Sequence, residues 1–178
     1  PPLFFFKPKT AYALLRSLVG SDMCIRDSFC IGTTRKKTPN KEDYINTEYN
    51  LPVTIGKICK DNGVEIFTFI SSLGASPKTS NLYLKNKGMA EEELRKLNFK
   101  KFIVIRPSFL IGKREEERFG EKIGIFAMKC ISPILVGDLK KYKSINAEIV
   151  AKSMINISNS ELQSGAFEPP QLLQIGKK

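Results

Sequence analysis

Tyr83 and Lys87 are two residues whose side chains could take part in acid–base chemistry. They lie four positions apart and follow the serine pair Ser71 and Ser72. A Tyr-x-x-x-Lys pair on a helix places both side chains on one face, one turn apart. A tyrosine phenol has an ordinary pKa of about 10, and a nearby ammonium favours the phenolate. The spacing therefore predicts that Tyr83 exchanges protons with its pKa lowered by Lys87. A serine hydroxyl at the end of the preceding strand could bind the same reacting oxygen.

A helix that begins close to Tyr83 must carry this pair. Its apolar residues continue at helical spacing with Ala90, Leu94 and Leu97. A lysine at the start of such a stripe needs a partner, because burying an unpaired charge is costly. Two interpretations remain open: a solvated helix face in a lysine-rich chain, or a lysine that binds a ribose hydroxyl.

The apolar runs around this helix alternate between strand and helix. We expect a strand end at 29–31, a polar loop at 36–44, a helix at 47–61, a strand at 66–71, a helix at 81–97, a strand at 102–105, a helix at 119–130, an extended piece at 142–145 and a helix at 147–156. Pro52 is tolerated only near the first turn of its helix, because proline lacks a backbone N–H. This order predicts a parallel sheet.

Several motifs then occur in a recognisable order. They are FCIGTTR at 29–35, FTFISSLGA at 67–75, SNLYLKNKG at 80–88, IRPSFLIG at 105–112 and REEER at 114–118. Together they resemble the atypical short-chain dehydrogenase/reductases, in particular the small NAD(P)H-binding oxidoreductases related to the human Tat-interacting protein. The likeness extends from residue 29 to about residue 158.

The resemblance implies an α/β fold, a partial Rossmann-like parallel sheet built from the family's strand four onward with flanking helices, and a strand and helix after residue 160. It implies Tyr83 and Lys87 as the catalytic pair, with Ser72 or Ser71 as the hydroxyl partner and Lys87 also on the nicotinamide ribose. The other cofactor-binding positions that it implies are Ile31, Gly32, Thr33, Pro107, Leu110 and Arg118. The cofactor is NAD or NADP, with NADP favoured by the resemblance, and the substrate is a small carbonyl compound or alcohol.

The amino end departs from the family pattern. A Rossmann unit needs a glycine-rich turn after its first strand, and Gly20 is the only glycine before Gly32. Residues 17–28 instead resemble a translated transposase sequencing adapter, from which Asp22 departs; a genuine short helix is the alternative. We expect 1–28 to be foreign sequence and 29–178 to be the carboxyl-terminal part of an NAD(P)-binding domain. Such a chain should aggregate and bind neither NADH nor NADPH at millimolar concentration.

The composition argues against several classes of function, including nucleic-acid binding and metal chemistry. The 178 residues carry a formal net charge of +11, but the lysines are mixed with glutamates and no nucleic-acid motif accompanies them, so we expect no nucleic-acid partner. Histidine is absent and the four cysteines form no C-x-x-C pair, which argues against metal and Ser-His chemistry and favours a cytoplasmic location. The apolar run at 3–6 is too short to span a bilayer, so we expect no membrane association.

The sequence thus predicts an NAD(P)-dependent oxidoreductase that transfers hydride between a nicotinamide and a carbonyl or alcohol, present here as an inactive fragment. Two alternatives remain open. One is a nucleotide-sugar epimerase, which shares the same triad. The other is a non-catalytic protein that senses NAD(P)H and regulates a partner. The oligomeric state is not predicted.

Overall fold

A computed structural model describes residues 26–111 and 144–177 of the chain. Its strands are β1 Arg26–Phe29, β2 Ile66–Ile70, β3 Lys101–Ile105, β4 Leu110–Ile111, β5 Ile145–Asn146 and β6 Gly165–Phe167. Four of them form one parallel sheet in the order β1-β2-β3-β6, and β4 pairs with β5 separately. The expected α/β fold with a parallel Rossmann-like sheet is confirmed.

The described helices lie on both faces of the sheet. They are α1 Lys41–Ile45, α2 Leu51–Asp61, α3 Leu82–Lys96, α4 Ala147–Asn159 and α5 Pro169–Ile175, and a π-helical turn, Asn46–Asn50, joins α1 to α2. None of the described helices is both long and apolar enough to cross a bilayer.

Side chains along each strand point alternately to the two faces of the sheet, and this divides the core into two apolar clusters. Phe67 and Phe69 point from β2 towards α2 and α3, where they pack with Leu94. Ile103 and Ile105 point from β3 to the opposite face, towards α4 and α5. All five side chains are fully buried, and each contributes about 1.5 to 3 kcal/mol relative to its exposed state. The first of these clusters packs α3 against the sheet.

The helix that precedes β2 begins earlier than the sequence indicated. A loop was expected up to residue 44, but α1 begins at Lys41, because the Asn40 side chain accepts the backbone N–H of Glu42 at 2.8 Å and caps the helix. Helical structure then continues through the π turn to Asp61. Pro52 is the second residue of α2. Because Asn50 before α2 is already helical, Pro52 lies inside this continuous helical run, directly after the π turn, which interrupts the regular hydrogen bonding next to the proline.

Other boundaries differ by a few residues. β1 ends at Phe29 and β2 at Ile70, while α4 extends to Asn159. Arg26–Ser28, within the suspected adapter, pair in parallel with residues 66–68. The strand and helix implied after residue 160 are present as β6 and α5. The helix expected at 119–130 and residues 142–143 of the expected extended piece lie outside the described residues. Ile145, at the end of that piece, lies in β5.

Candidate active site

A cleft of about 810 Å³ opens beyond the carboxyl ends of β1 and β2. Its walls come from the loop that follows β1, from the π turn and from α3; they include Ile31, Thr33, Glu48, Tyr83, Lys87 and Leu110. Open parallel α/β sheets bind ligands at this edge. The cleft therefore lies where the fold places a ligand site.

The helix α3 brings Tyr83 and Lys87 to this cleft. The Asn81 side chain accepts the backbone N–H of Leu84 at 3.2 Å and fixes the start of the helix. Gly88 lets α3 approach the preceding loop, since a Cβ at this position would lie 2.4 Å from the carbonyl carbon of Ser76. Tyr83 is half-buried and Lys87 is 3% exposed.

The two serines that follow β2 have different partners. Ser72 interacts with the phenol of Tyr83 and lowers its pKa, but it is not among the residues that line the cleft. The Ser71 hydroxyl donates to Glu91 Oε1 at 2.5 Å, and the same carboxylate pairs with Arg106. Ser71 lines the cleft together with Tyr83, but its proton is committed to Glu91.

Lys87 is held by two oxygen atoms. Its ammonium donates to the backbone carbonyl of Ile70 at 3.2 Å and lies 3.1 Å from Glu48 Oε2. It also lies 5.0 Å from the centroid of the Phe69 ring and 6.0 Å from that of the Tyr83 ring. The buried charge thus has a carboxylate partner in the protein, where the sequence suggested a ribose hydroxyl.

The phenol of Tyr83 is harder to ionise than the sequence suggested. Burial raises its pKa, the charge of Glu48 raises it further, and the hydrogen bond with Ser72 lowers it. The expectation of a lowered pKa is wrong for this structure, because burial and, after it, the charge of Glu48 raise it. The phenol of Tyr83 is therefore protonated at neutral pH.

Sequence reasoning missed Glu48. Its side chain is fully buried, and Oε1 accepts the backbone N–H of Thr33 at 2.6 Å. Gly32 lies beside it, since a Cβ there would lie 3.3 Å from the same oxygen. The available signal was its position four residues after the buried Tyr44, on the same helix face. The assumed loop up to residue 44 concealed this spacing.

Of the other four predicted cofactor positions, two line the cleft, one does not, and one lies outside the described residues. Ile31 and Leu110 line the cleft with exposed fractions of 45% and 39%, which suits an apolar ring. Pro107 is buried and does not line the cleft, and its carbonyl accepts the backbone N–H of Leu73 at 3.0 Å. Arg118 lies outside the described residues.

The cleft suits one half of a nicotinamide dinucleotide. Lys87, Thr33 and the apolar walls fit a ribose and a nicotinamide ring, and the cleft is large enough for both. No glycine-rich turn for a pyrophosphate follows a strand within 26–111 or 144–177. In the same two segments, no three His, Cys, Asp or Glu side chains come together as metal ligands.

Sequence comparison finds fungal relatives. The chain is 31% identical over 140 residues to Protein FMP52, mitochondrial, of Candida albicans, covering 70% of this chain and 61% of the relative. It is 32% identical over 136 residues to the protein of the same name from Debaryomyces hansenii, covering 75% and 59%. The chain thus spans about 60% of the length of these relatives. No family model matches it.

Solved structures show the fold at low sequence identity. UDP-glucose 4-epimerase of Thermotoga maritima superposes with a TM-score of 0.62 at 15% identity, over 93% of this chain and 64% of that one. WbmH of Bordetella bronchiseptica, in complex with NAD+, gives 0.61 at 16%, over 88% and 56%. RMD of Pseudomonas aeruginosa, complexed with NADPH, gives 0.58 at 11%, over 88% and 66%. The chain shares the Rossmann-like fold of these proteins.

These comparisons correct one expectation. The scattered cysteines suggested a cytoplasmic location, but the curated relatives of this chain carry the word mitochondrial in their names. Reduced cysteines do not distinguish the cytoplasm from another reducing compartment, so the inference from composition was too narrow. The specific likeness to the Tat-interacting protein stays a prediction.

Proposed function

We propose that this chain carries the reaction centre of an NAD(P)-dependent oxidoreductase of the short-chain dehydrogenase/reductase type. The observation that carries the proposal is that Tyr83 and Lys87, one helical turn apart on α3, both line the cleft at the ligand-binding edge of a parallel sheet. The interaction of Ser72 with the Tyr83 phenol supports it. The fold shared with proteins that bind NAD+ or NADPH supports it. The names of the relatives support a mitochondrial location.

Each residue has a role that follows from its chemistry. When bound, a nicotinamide dinucleotide supplies or accepts the hydride. Tyr83 donates a proton to the carbonyl oxygen of a substrate, or removes one from an alcohol. Ser72 donates a hydrogen bond to the same oxygen and holds it beside the phenol. The Lys87 ammonium binds ribose hydroxyls, and its charge stabilises the phenolate that forms as the proton leaves.

The walls of the cleft determine where the nicotinamide ring and its ribose can bind. Ile31 and Leu110 provide exposed apolar surface on which a nicotinamide ring can pack and from which water is displaced. The backbone N–H of Thr33 is occupied by Glu48. The polar contacts of a bound nucleoside are therefore expected on the α3 side of the cleft, at Lys87 and Tyr83.

The experiment uses the product of the complete reading frame of the source gene. We expect calorimetric titration with NADH and NADPH to give saturable binding to at least one of them. We then expect oxidation of the bound nucleotide by members of a panel of aldehydes and ketones, followed at 340 nm. Absence of binding to both nucleotides would overturn the proposal. Binding with no turnover over the panel would favour a regulator that senses the nucleotide.

A second candidate is a nucleotide-sugar epimerase, which the similarity to UDP-glucose 4-epimerase favours. An epimerase returns the hydride to its sugar, so it needs no net supply of reduced nucleotide. A protein that interconverts UDP-glucose and UDP-galactose with catalytic NAD and oxidises no NADPH with carbonyl compounds would support this candidate. Net consumption of NADH or NADPH by a carbonyl substrate would exclude it.

A further inference from the structure

A second cavity, of about 610 Å³, adjoins the cleft at Tyr83. Three side chains, Arg35, Tyr44 and Tyr83, line both spaces, and the rest of the second cavity is lined by Lys41 and residues 80–82. The cleft extends along α3 from Tyr83 towards Lys87, whereas the second cavity lies at the residues with which α3 begins. A molecule whose carbonyl group reaches the Tyr83 phenol can therefore extend from the cleft into this second cavity.

The charged side chains that line the second cavity are both cations, Arg35 and Lys41. Neither of them forms an ion pair with a residue in the described part of the chain. Glu42 and Asp43 follow Lys41 in the first turn of α1, but they do not line the cavity. The cavity thus presents positive charge to a ligand.

The Arg35 guanidinium is held in the wall that the two spaces share. Its central carbon lies 5.6 Å from the centroid of the Tyr44 ring, and Tyr44 is buried. An arginine over an aromatic face keeps its N–H groups available at the edge of the guanidinium plane. Among the described residues that line the cleft, only Glu48 is acidic, and its carboxylate is paired with Lys87. An anion that enters beside Tyr83 therefore meets two cations and no unpaired carboxylate of the lining.

We propose that the second cavity binds an anionic group of the substrate, so that the protein acts on carbonyl compounds that bear a carboxylate or a phosphate. This rests on the proposed oxidoreductase function and names its substrate class. The carbonyl oxygen lies at the Tyr83 phenol, while Arg35 donates paired hydrogen bonds to the anionic group and Lys41 adds a point charge. One cation about 4 Å from an anion in water is equivalent to roughly fivefold in affinity.

The test compares two aldehydes of the same shape, 4-formylbenzoate and 4-formylbenzamide, with the product of the complete reading frame. A carboxamide withdraws electrons more strongly than a carboxylate, so intrinsic reactivity does not favour the benzoate. We expect kcat/KM for the benzoate to exceed that for the benzamide by roughly tenfold to a hundredfold, the combined effect of two cations.

Arg35→Gln and Lys41→Gln should each lower this ratio by roughly threefold to tenfold. The matched control is Lys57→Gln, which removes an exposed positive charge from α2 and lines neither cavity. It should leave the ratio unchanged. The same ratio in all three variants would overturn the proposal. So would a loss of NADH or NADPH affinity in Arg35→Gln with an unchanged ratio, because the cavity would then bind a phosphate of the nucleotide.

A binding measurement keeps the proposal testable if neither aldehyde is turned over. Benzoate, phenyl phosphate and benzamide are titrated into protein labelled with 13C at tyrosine Cζ, and the NMR signals of Tyr44 and Tyr83 are followed. Tighter binding of either anion than of benzamide, lost in Arg35→Gln, would support the anion site even without turnover, and the tighter anion identifies the group. Equal binding of all three compounds would overturn the proposal and leave the oxidoreductase function to its own test.

Discussion

The hydroxyl of Ser71 donates to the carboxylate of Glu91 at 2.5 Å, in the interior of the protein. The same carboxylate accepts two hydrogen bonds from Arg106, at 3.0 Å and 2.5 Å. This network joins the end of β2 to α3 and to the residue that follows β3. Ser71 lines the cleft with Tyr83, but its proton is committed to Glu91; under the proposed reaction, Ser72 is therefore the hydroxyl left to donate to a substrate.

The first prediction separates the two serines. Ser72→Ala should lower the turnover of carbonyl substrates by roughly a hundredfold to a thousandfold, the order expected for one lost hydrogen bond to a reacting oxygen, with little change in thermal stability. Ser71→Ala should leave Glu91 with an unmet hydrogen bond and cost about 1 to 3 kcal/mol in the free energy of unfolding. Denaturant unfolding and steady-state kinetics of both variants distinguish these effects. The assignment fails if Ser71→Ala loses turnover with unchanged stability.

The second prediction concerns the proton donor and the ammonium. Tyr83→Phe removes the transferable proton only, so nucleotide binding should survive while turnover falls by roughly two to four orders of magnitude. Lys87→Ala removes the ribose contact and leaves the Glu48 carboxylate unpaired, so nucleotide affinity, turnover and stability should all decrease. Calorimetric binding and initial rates are compared for the two variants. Equal activity of Tyr83→Phe and the unaltered protein would exclude the proposed role of Tyr83.

The sequence was sufficient for the features that depend on local pattern. The apolar run at 66–70 predicted β2, and the four-residue spacing of Tyr83 and Lys87 placed them on one face of α3. The choice between Ser71 and Ser72 remained open, because it depends on where β2 ends. A shift of the strand pairing by one residue exchanges the two faces.

Glu48 was missed, because its one available signal, the four-residue spacing from Tyr44, started from a residue that was assigned to a loop. Its role depends on a π turn, and the change from i→i+4 to i→i+5 hydrogen bonding at Asn46–Asn50 leaves no signature in residue type. The partner of Lys87 was sought in a ligand because Glu48, within the helix expected at 47–61, was not considered as a source of charge. The expected direction of the Tyr83 pKa was wrong, since burial raises it most and the charge of Glu48 raises it further.

The third prediction tests the close approach of α3 to the loop at Ser76. A methyl group at position 88 would lie 2.4 Å from the Ser76 carbonyl carbon, so Gly88→Ala must displace the loop or the helix. The gain in helix propensity, about 1 kcal/mol, offsets part of an overpacking cost of roughly 1 to 3 kcal/mol. We expect a net loss of up to about 2 kcal/mol in the free energy of unfolding. The NMR signal of Tyr83, labelled with 13C at Cζ, should also shift, because α3 carries Tyr83 and moves relative to Ser72.

Gly165→Ala is the matched control for this substitution. No atom lies within 4 Å of a Cβ at position 165, in β6, so the same change should be neutral or slightly stabilising. Chemical denaturation of the two variants gives the comparison. If both glycines tolerate alanine equally well, the contact between α3 and the loop does not limit the position of the helix.

The last prediction concerns the dependence of stability on pH. Tyr44 is 3% exposed, and burial, followed by the charges of Glu48 and Tyr83, raises the pKa of its phenol from 10 to about 12, whereas Arg35 opposes the shift. A group whose pKa is higher in the folded state stabilises the fold fully below pH 10. This contribution disappears as the pH rises from 10 to about 12, because the unfolded chain releases the proton first.

The free energies of unfolding of the unaltered protein and of Tyr44→Phe should therefore differ by an amount that is constant from pH 7 to 9. Above pH 10 the advantage of the tyrosine should decrease by up to about 2 to 3 kcal/mol, the equivalent of a two-unit shift. Urea unfolding of both proteins at each pH cancels the titration of lysines, which the two share. A difference that stays constant from pH 8 to 12 would show that the buried phenol does not carry this pKa.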